Sequence, residues 1–323
     1  MMGRWTSLGC VLALAGLGLW GCDGTTETDA GVTPLTDGGG GGTDAGPMTG
    51  GDPVGFGPML TSLTAADFSC RGSVTAPADT GTEVSFTGVV TDFFNGMPVE
   101  GLTVQFFRDN TPTAACDGTC AESTSSATGE VTVTDNEGSW YGYRIVAGSG
   151  AQAGAPRDYI EVVQINEAAP GTGGSETLNA VQDSTRNTII TLLGVMAEPG
   201  TGTITGLLSD CNGESIANAT IRLFDSSGEI ALGSGRSGPR AFYFNGDSFP
   251  AAMQTSTHID GLYGAANIPI PADGRVRVEI WGSLTAGGAS EMLGCESVNV
   301  IEDGITIINV GPARSDGPTG CSM

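Results

Sequence analysis

The chain has no lysine; all twelve of its basic residues are arginine. Schiff-base chemistry and the phosphate-binding P-loop, which need a lysine amine, are therefore excluded. Histidine occurs once, at His258. Any Ser-His-Asp or Cys-His device would have to use it, and a zinc or copper centre would stand on that single imidazole. No Gly-x-Ser-x-Gly elbow precedes a helical pattern. A hydrolase or metal enzyme built on His258 is thus the least supported functional class, and a plain turn histidine accounts for the residue. Positive charge is scarce as well: 36 acidic residues give a formal net charge of -24. Such a surface repels phosphate backbones and anionic head groups, which argues against nucleic-acid partners and peripheral membrane adsorption. It remains compatible with divalent cations or a cationic partner.

What is present begins with an apolar run from Leu8 to Trp20, preceded by Arg4. Its length suits a signal-peptide core and falls short of the ~20 residues that span a bilayer. Leu19-Trp20-Gly21-Cys22 follows, with leucine at minus three and a small residue at minus one. This resembles the bacterial lipobox, although Trp20 stands where a small residue is usual. The resemblance implies cleavage after residue 21 and acylation (palmitate included) of Cys22, hence a lipoprotein held at a membrane. The plainer alternative is a cleaved secretory signal followed by an unmodified cysteine. Asp23 resembles an inner-membrane retention signal of enteric bacteria, whereas the tether and the remaining thiols favour the outer membrane or cell surface.

Six cysteines remain beyond Cys10 and Cys22: Cys70, Cys116, Cys120, Cys211, Cys295 and Cys321. An even set in an exported chain reads as disulfides, with 15 possible connectivities. Cys116 and Cys120 are spaced to close a small loop, and Cys211 with Cys295 would staple the second half. Cys70 with Cys321 follows by elimination only. A zinc reading of Cys116/Cys120 lacks two further ligands.

Residues 22–58 hold the run Gly38–Gly42 and little apolar periodicity, the composition of a disordered Gly/Asp/Thr-rich tether. Such a chain spans roughly 30–36 Å. Beyond it, short alternating segments bounded by Gly, Asn or Pro predict a mainly β protein of two antiparallel β-sandwich modules. The first covers 59–175 and the second 196–323, joined through 176–195. An internal repeat runs through them. Gly88-Val89-Val90-Thr91-Asp92 matches Gly206-Leu207-Leu208-Ser209-Asp210. Pro98 to Val104 matches Ser215 to Ile221, and Asp135-Asn136-Glu137-Gly138-Ser139-Trp140 is set against His258-Ile259-Asp260-Gly261-Leu262-Tyr263.

This order resembles the carboxypeptidase regulatory-like module, a transthyretin-like sandwich, over residues 82–165 and 200–312. The resemblance implies a structural or binding appendage and brings no catalytic residues with it. Leu102 and Asn218 depart from its preferred Ala and Gly. In the connector, Val181, Thr185, Ile189, Leu192 and Leu193 fall on one helical face, with Asp183 or Ser184 as N-cap and Gly194 as the stop. The β-branched Thr188-Ile189-Ile190-Thr191 offers a strand as the competing reading.

Three acidic turns, at Asp135–Gly138, Asp210–Glu214 and Asp225–Glu229, bring oxygens near glycine. They lack calcium-loop spacing, and ordinary turns need the same residues, so structural calcium is the weaker reading and no other cofactor is expected. The repeat assigns Trp140 and Tyr263 to matching core positions. Phe93 and Phe94, at a turn, are the aromatic pair expected to contact a ligand. The reading is a lipid-anchored envelope protein with a structural or adhesive, non-enzymatic role. The alternative is a carbohydrate- or peptide-binding module.

Overall fold

The computed structural model describes residues 58–60, 65–76, 80–108, 110–114, 116–118, 120–246 and 248–321. Cys22 and nearly all of the expected tether lie outside them. The strands of the first half are β1 (Met59–Leu60), β2 (Glu83–Asp92), β3 (Thr103–Phe107), β4 (Ala121–Thr124), β5 (Glu130–Asn136), β6 (Trp140–Ile145), β7 (Gly148–Gln152), β8 (Ala155–Tyr159), β9 (Val162–Ala168) and β10 (Ser175–Ala180). Helix α1 (Asp183–Leu192) follows. The second half holds β11 (Thr201–Leu207), β12 (Ile216–Ala217), β13 (Thr220–Asp225), β14 (Gly228–Ile230), β15 (Arg240–Phe244), β16 (Pro250–Ala251), β17 (Leu262–Pro269), β18 (Arg275–Gly282), β19 (Glu291–Asn299) and β20 (Ile305–Ile307). The protein is mainly β, as its alternation predicts.

Hydrogen-bond register turns the sequence repeat into a structural one. In the first copy, sheet β10-β2-β5 faces the run β4-β3-β6-β9; in the second, β20-β11-β17 belongs opposite β14-β13-β18-β19. Seven strands correspond in order and pairing, including the parallel last strand beside the first (β10 with β2, β20 with β11). Val90 N–H donates to Gly129 O at 2.8 Å, and Leu208 N–H donates to Gly261 O at 2.9 Å. Val99 N–H donates to Val90 O as Ile216 N–H does to Leu208 O. Both turn glycines sit at positive φ, 77° and 67°, where a side chain would strike the carbonyl of the residue whose N–H they accept.

These bonds correct the later part of the sequence alignment. Gly261 corresponds to Gly129, not Gly138, so Tyr263 matches Val131 rather than Trp140. Tyr263 is a core residue as expected, whereas Trp140 is only half-buried and Tyr141 takes the core position. Local likeness of two acidic-Gly turns misled the comparison, because both precede aromatic strands.

Two apolar cores fill the sandwiches. The first gathers Phe86, Val90, Val104, Phe106, Val133, Tyr141, Ile145 and Leu178, with the Phe86 and Tyr141 rings 5.5 Å apart. The second gathers Ile204, Leu208, Ile221, Tyr263, Val278, Ile280 and Leu293. They meet where β20 runs parallel to β9 inside one nine-stranded sheet, and Ile305 and Ile307 enter the first core. Gly88 and Gly206, matched in the repeat, are each packed too tightly for a side chain.

The ends of the described chain differ from expectation. Phe68 packs in the second core, β1 pairs with β12, and Val74 bridges Arg314. The segment starting the expected first module thus belongs with the second half. Disulfides follow the same logic: Cys116–Cys120 is present, but Cys70 bonds Cys211 and Cys295 bonds Cys321. Cys211 sits in the turn that the N-terminal segment covers, 5.8 Å from Cys70 between Cα atoms, which spacing in sequence does not reveal.

The connector contributes β10 before the helix starts. Helix α1 forms with Gln182 as N-cap and no side-chain cap bond, so neither Asp183 nor Ser184 has that role. Gly194 is the stop, at φ 65°. Thr188 and Thr191 satisfy their hydroxyls on the carbonyls four residues back, which accommodates the β-branched run in a helix. Ile190 and Leu193 are buried against Phe242 and Phe244, while Leu192 faces solvent.

Cys70–Cys211 closes 141 residues and Cys116–Cys120 only 4. Chain-entropy arguments assign them about 5 and about 2 kcal/mol. Urea unfolding of the paired Cys→Ser variants should show that order; an equal or reversed cost would contradict the clamp.

Candidate functional site

Asp92 ends β2 and is buried. Its Oδ1 accepts the backbone N–H of Phe94 at 3.0 Å and of Asn95 at 3.2 Å, while Asn95 Oδ1 accepts Met97 N–H at 2.9 Å. Gly96 supplies the positive φ (66°) that closes this turn. From below, Gln182 Nε2 donates to Asp92 Oδ2 at 2.6 Å, and Gln152 Nε2 donates to Asn95 Oδ1 at 3.2 Å. Tyr159 is buried under the same corner, where desolvation and then Asp92 hold its phenol well above the usual range.

The turn so held presents Phe93 at 40%, Phe94 at 39% and Met97 at 44% exposure. The expected aromatic pair is therefore outside, and Met97 joins it. A fixed apolar tip loses little conformational freedom when covered, so burying it yields most of its ~25 cal/mol per Å² to a partner. The sequence puts the pair beside a turn at Asn95-Gly96; it does not reveal Met97, Gln152 or Gln182, the last two of which reach the turn from β7 and from the N-cap of α1.

The corresponding turn of the second copy is closed. Asp210 Oδ1 accepts Asn212 and Glu214 N–H, its Oδ2 accepts Asp67 N–H at 2.9 Å, and Cys211 N–H donates to Asp67 O. Asp225 Oδ1 accepts Ser227 N–H, Ser227 O–H and Gly228 N–H, and these bonds, led by those from Ser227, lower its pKa. Asp135 Oδ1 accepts Asn136 N–H. In each of the three acidic turns the first aspartate thus directs its Oδ1 to the turn's own backbone. Among the described residues, no group of three His, Cys, Asp or Glu side chains is placed to hold a metal ion.

His258 precedes β17, its imidazole lying where a side chain at Gly246 would stand. Asp260 accepts Leu262 N–H and Ser248 O–H, each at 3.2 Å, and burial pushes its carboxyl up to about 6. Trp281 is tied to Glu279 (Nε1 to Oε2, 2.8 Å) beneath Arg222, so it is no open platform. Between the cores, Trp140 carries the Arg314 guanidinium 4.3 Å from its ring centre, and Arg314 pairs with Glu296 at 2.7 Å.

No family model matches the chain, and no curated protein sequence matches it. Among solved structures it is similar to the Bacillus anthracis TIE protein at 12% identity, covering 72% of this chain and 34% of that one, with TM-score 0.21. The minor pilin GBS52 of Streptococcus agalactiae gives 12% identity, 71% and 96% coverage and TM-score 0.22. The shaft pilin SpaA of Lactobacillus rhamnosus GG gives 12% identity, 72% and 97% coverage and TM-score 0.21. TM-scores this low carry no argument about fold or task. Among the described residues no helix is long and apolar enough to cross a membrane.

Burial pushes Glu296 up from 4.5 to about 7 against the opposing pull of Arg314 and Asn166, and burial raises Glu167 to about 7 as well. Between those limits the folded chain holds protons that the unfolded chain has released. Stability therefore falls as pH rises from about 4.5 to about 7 and is level above that. The urea midpoint should be higher near pH 5 than near pH 8, and Glu296→Gln should remove about 1–3 kcal/mol of the difference. A midpoint that rises with pH would contradict this.

Proposed function

We propose that this chain is a lipid-anchored envelope protein, held by Cys22, whose two repeats serve a structural or adhesive and non-enzymatic role at the outer membrane or cell surface. The repeats are assigned as carboxypeptidase regulatory-like modules; seven strands matched in order and pairing support that assignment. The observation that carries the role is an asymmetry. The chain coming from the tether is fastened to the second core by Phe68, β1 and Cys70–Cys211, and the first sandwich is inserted between that segment and β11. The second repeat is the base and the first is the head. The head carries the apolar turn of Phe93, Phe94 and Met97, and the base has its own turn covered.

A binding role for carbohydrate or peptide is the second reading, favoured by the exposure of Phe93 and Phe94 on a hydrogen-bonded frame.

Cys22→Ser should release the protein from the membrane fraction in soluble form; retention would overturn the anchor. Phe93→Ser/Phe94→Ser should leave the fold intact at a cost of about 2–4 kcal/mol, because each residue is more than half covered. It should also abolish retention of the protein on glycan or peptide arrays, or cell adhesion conferred by it. Undiminished binding or adhesion in that variant would remove the turn from the function.

A further inference from the structure

The two copies differ in what lies along the outer edge of their second sheet. In the first copy that edge is β9, and β20 pairs with it in parallel: Ile305 against Val162, Thr306 against Val163 and Ile307 against Gln164. The counterpart in the second copy is β19. Val104 pairs with Ile145 and Ile145 with Val162; correspondingly, Ile221 pairs with Ile280 and Ile280 with Gly294. Val162, Val163 and Gln164 therefore correspond to Gly294, Cys295 and Glu296, and Glu161 corresponds to Leu293.

The C-terminal segment touches these same positions. Ala313 N–H donates to Leu293 O at 2.8 Å, just as Ile305 N–H donates to Glu161 O at 3.0 Å in the first copy. Gly311 packs on Gly294 so closely that no side chain fits there. Cys321 is bonded to Cys295, and Arg314 pairs with Glu296 at 2.7 Å. The segment thus occupies a strand position without being a strand, held at four consecutive residues, Leu293 to Glu296.

We propose that Gly311–Cys321 is an edge cap, filling on β19 the place that β20 fills on β9, and that it blocks parallel pairing with a second copy of this chain through that copy's β10. The β9–β20 joint is head-to-tail, because it uses two different edges, and such a contact leaves one of each at the ends of the array. The unmatched counterpart of β20 is β10. Gly174 O accepts Thr87 N–H of β2 and Ala180 O accepts Phe93 N–H, so Ser175 and Thr177 turn their backbone groups outward and both residues are exposed, while Asn179 N–H, turned the same way, is taken by Tyr143 Oη. Unpaired edges of this kind are templates for association, and covering them is a known protection. Ser175 stands where β20 has Ile307, since they pair with Thr87 and Thr205 respectively. The contact between copies therefore lacks the isoleucine that seals the internal joint and should be reversible.

The test uses the full chain with Cys22→Ser as parent. Light scattering over a concentration series compares it with the same chain carrying Cys295→Ser, Cys321→Ser and Ala313→Pro, which removes the staple and the N–H bond. The cap predicts a mass that rises with concentration only after release. Adding Thr177→Pro, which deletes an outward N–H of β10, should return the mass to that of the parent. A released chain that keeps the parent's mass at every concentration overturns the proposal, as does association that persists with Thr177→Pro. A released chain without native near-ultraviolet dichroism also overturns it, because the segment would then be part of the core. Ala313→Pro alone, with the disulfide kept, gives the same comparison at weaker release and should show a smaller rise.

Discussion

Everything distinctive about this molecule depends on the Cys70–Cys211 bond and the contacts around it. The bond encloses the whole first sandwich in one covalent loop and fixes the incoming chain to the second. Asp67, the buried ring of Phe68, the Arg71–Glu291 pair and Gly72 N–H on Ala313 O hold the same segment to the second half, and the bond adds to them by restricting the loop open to the unfolded chain. With it, one repeat is fastened at the point of entry and the other is carried by it.

The repeats share a strand plan but not a surface. In the second copy the turn after its first strand is covered by the N-terminal segment, the edge of β17 by β15 and β16, and the edge of β19 by the C-terminal segment. In the first copy the matching turn bears Phe93 and Phe94, and the matching edges are β5, with no strand beyond it among the described residues, and β9, used by β20. Different additions to the two copies, the β7–β8 hairpin in the first and the terminal segments with β15 and β16 in the second, turn a duplication into a division of labour. The polar joint between them, with Glu296 held by Arg314 and Trp140 beneath it, adds sensitivity to pH.

Much of the fold was legible in the sequence, for reasons that individual residues make plain. Alternation in β2 and β13 follows from one buried face per strand, and the Gly88/Gly206 and Asp92/Asp210 matches reflect positions where only Gly fits or a turn needs a carboxylate. The helix and its Gly194 stop were readable from local chemistry. What failed was long-range. Disulfide partners, the true counterpart of Gly261 and the home of residues 65–76 depend on which segments meet in space, and no local signal carries that. At the candidate site the same division holds: Phe93 and Phe94 were visible at a turn, whereas the amides of Gln152 and Gln182 were not, because they arrive from the end of β7 and the N-cap of α1, which only the tertiary fold brings near.

The central claim is the order from membrane to tip: base first, then head. The most direct measurement places a fluorophore at Asn95→Cys in the aromatic turn, and in a separate sample at Ser226→Cys in the second repeat, on lipidated protein in vesicles with an acceptor in the bilayer. Weaker energy transfer from the turn than from the second repeat is the predicted result. Equal or stronger transfer from the turn would contradict the account.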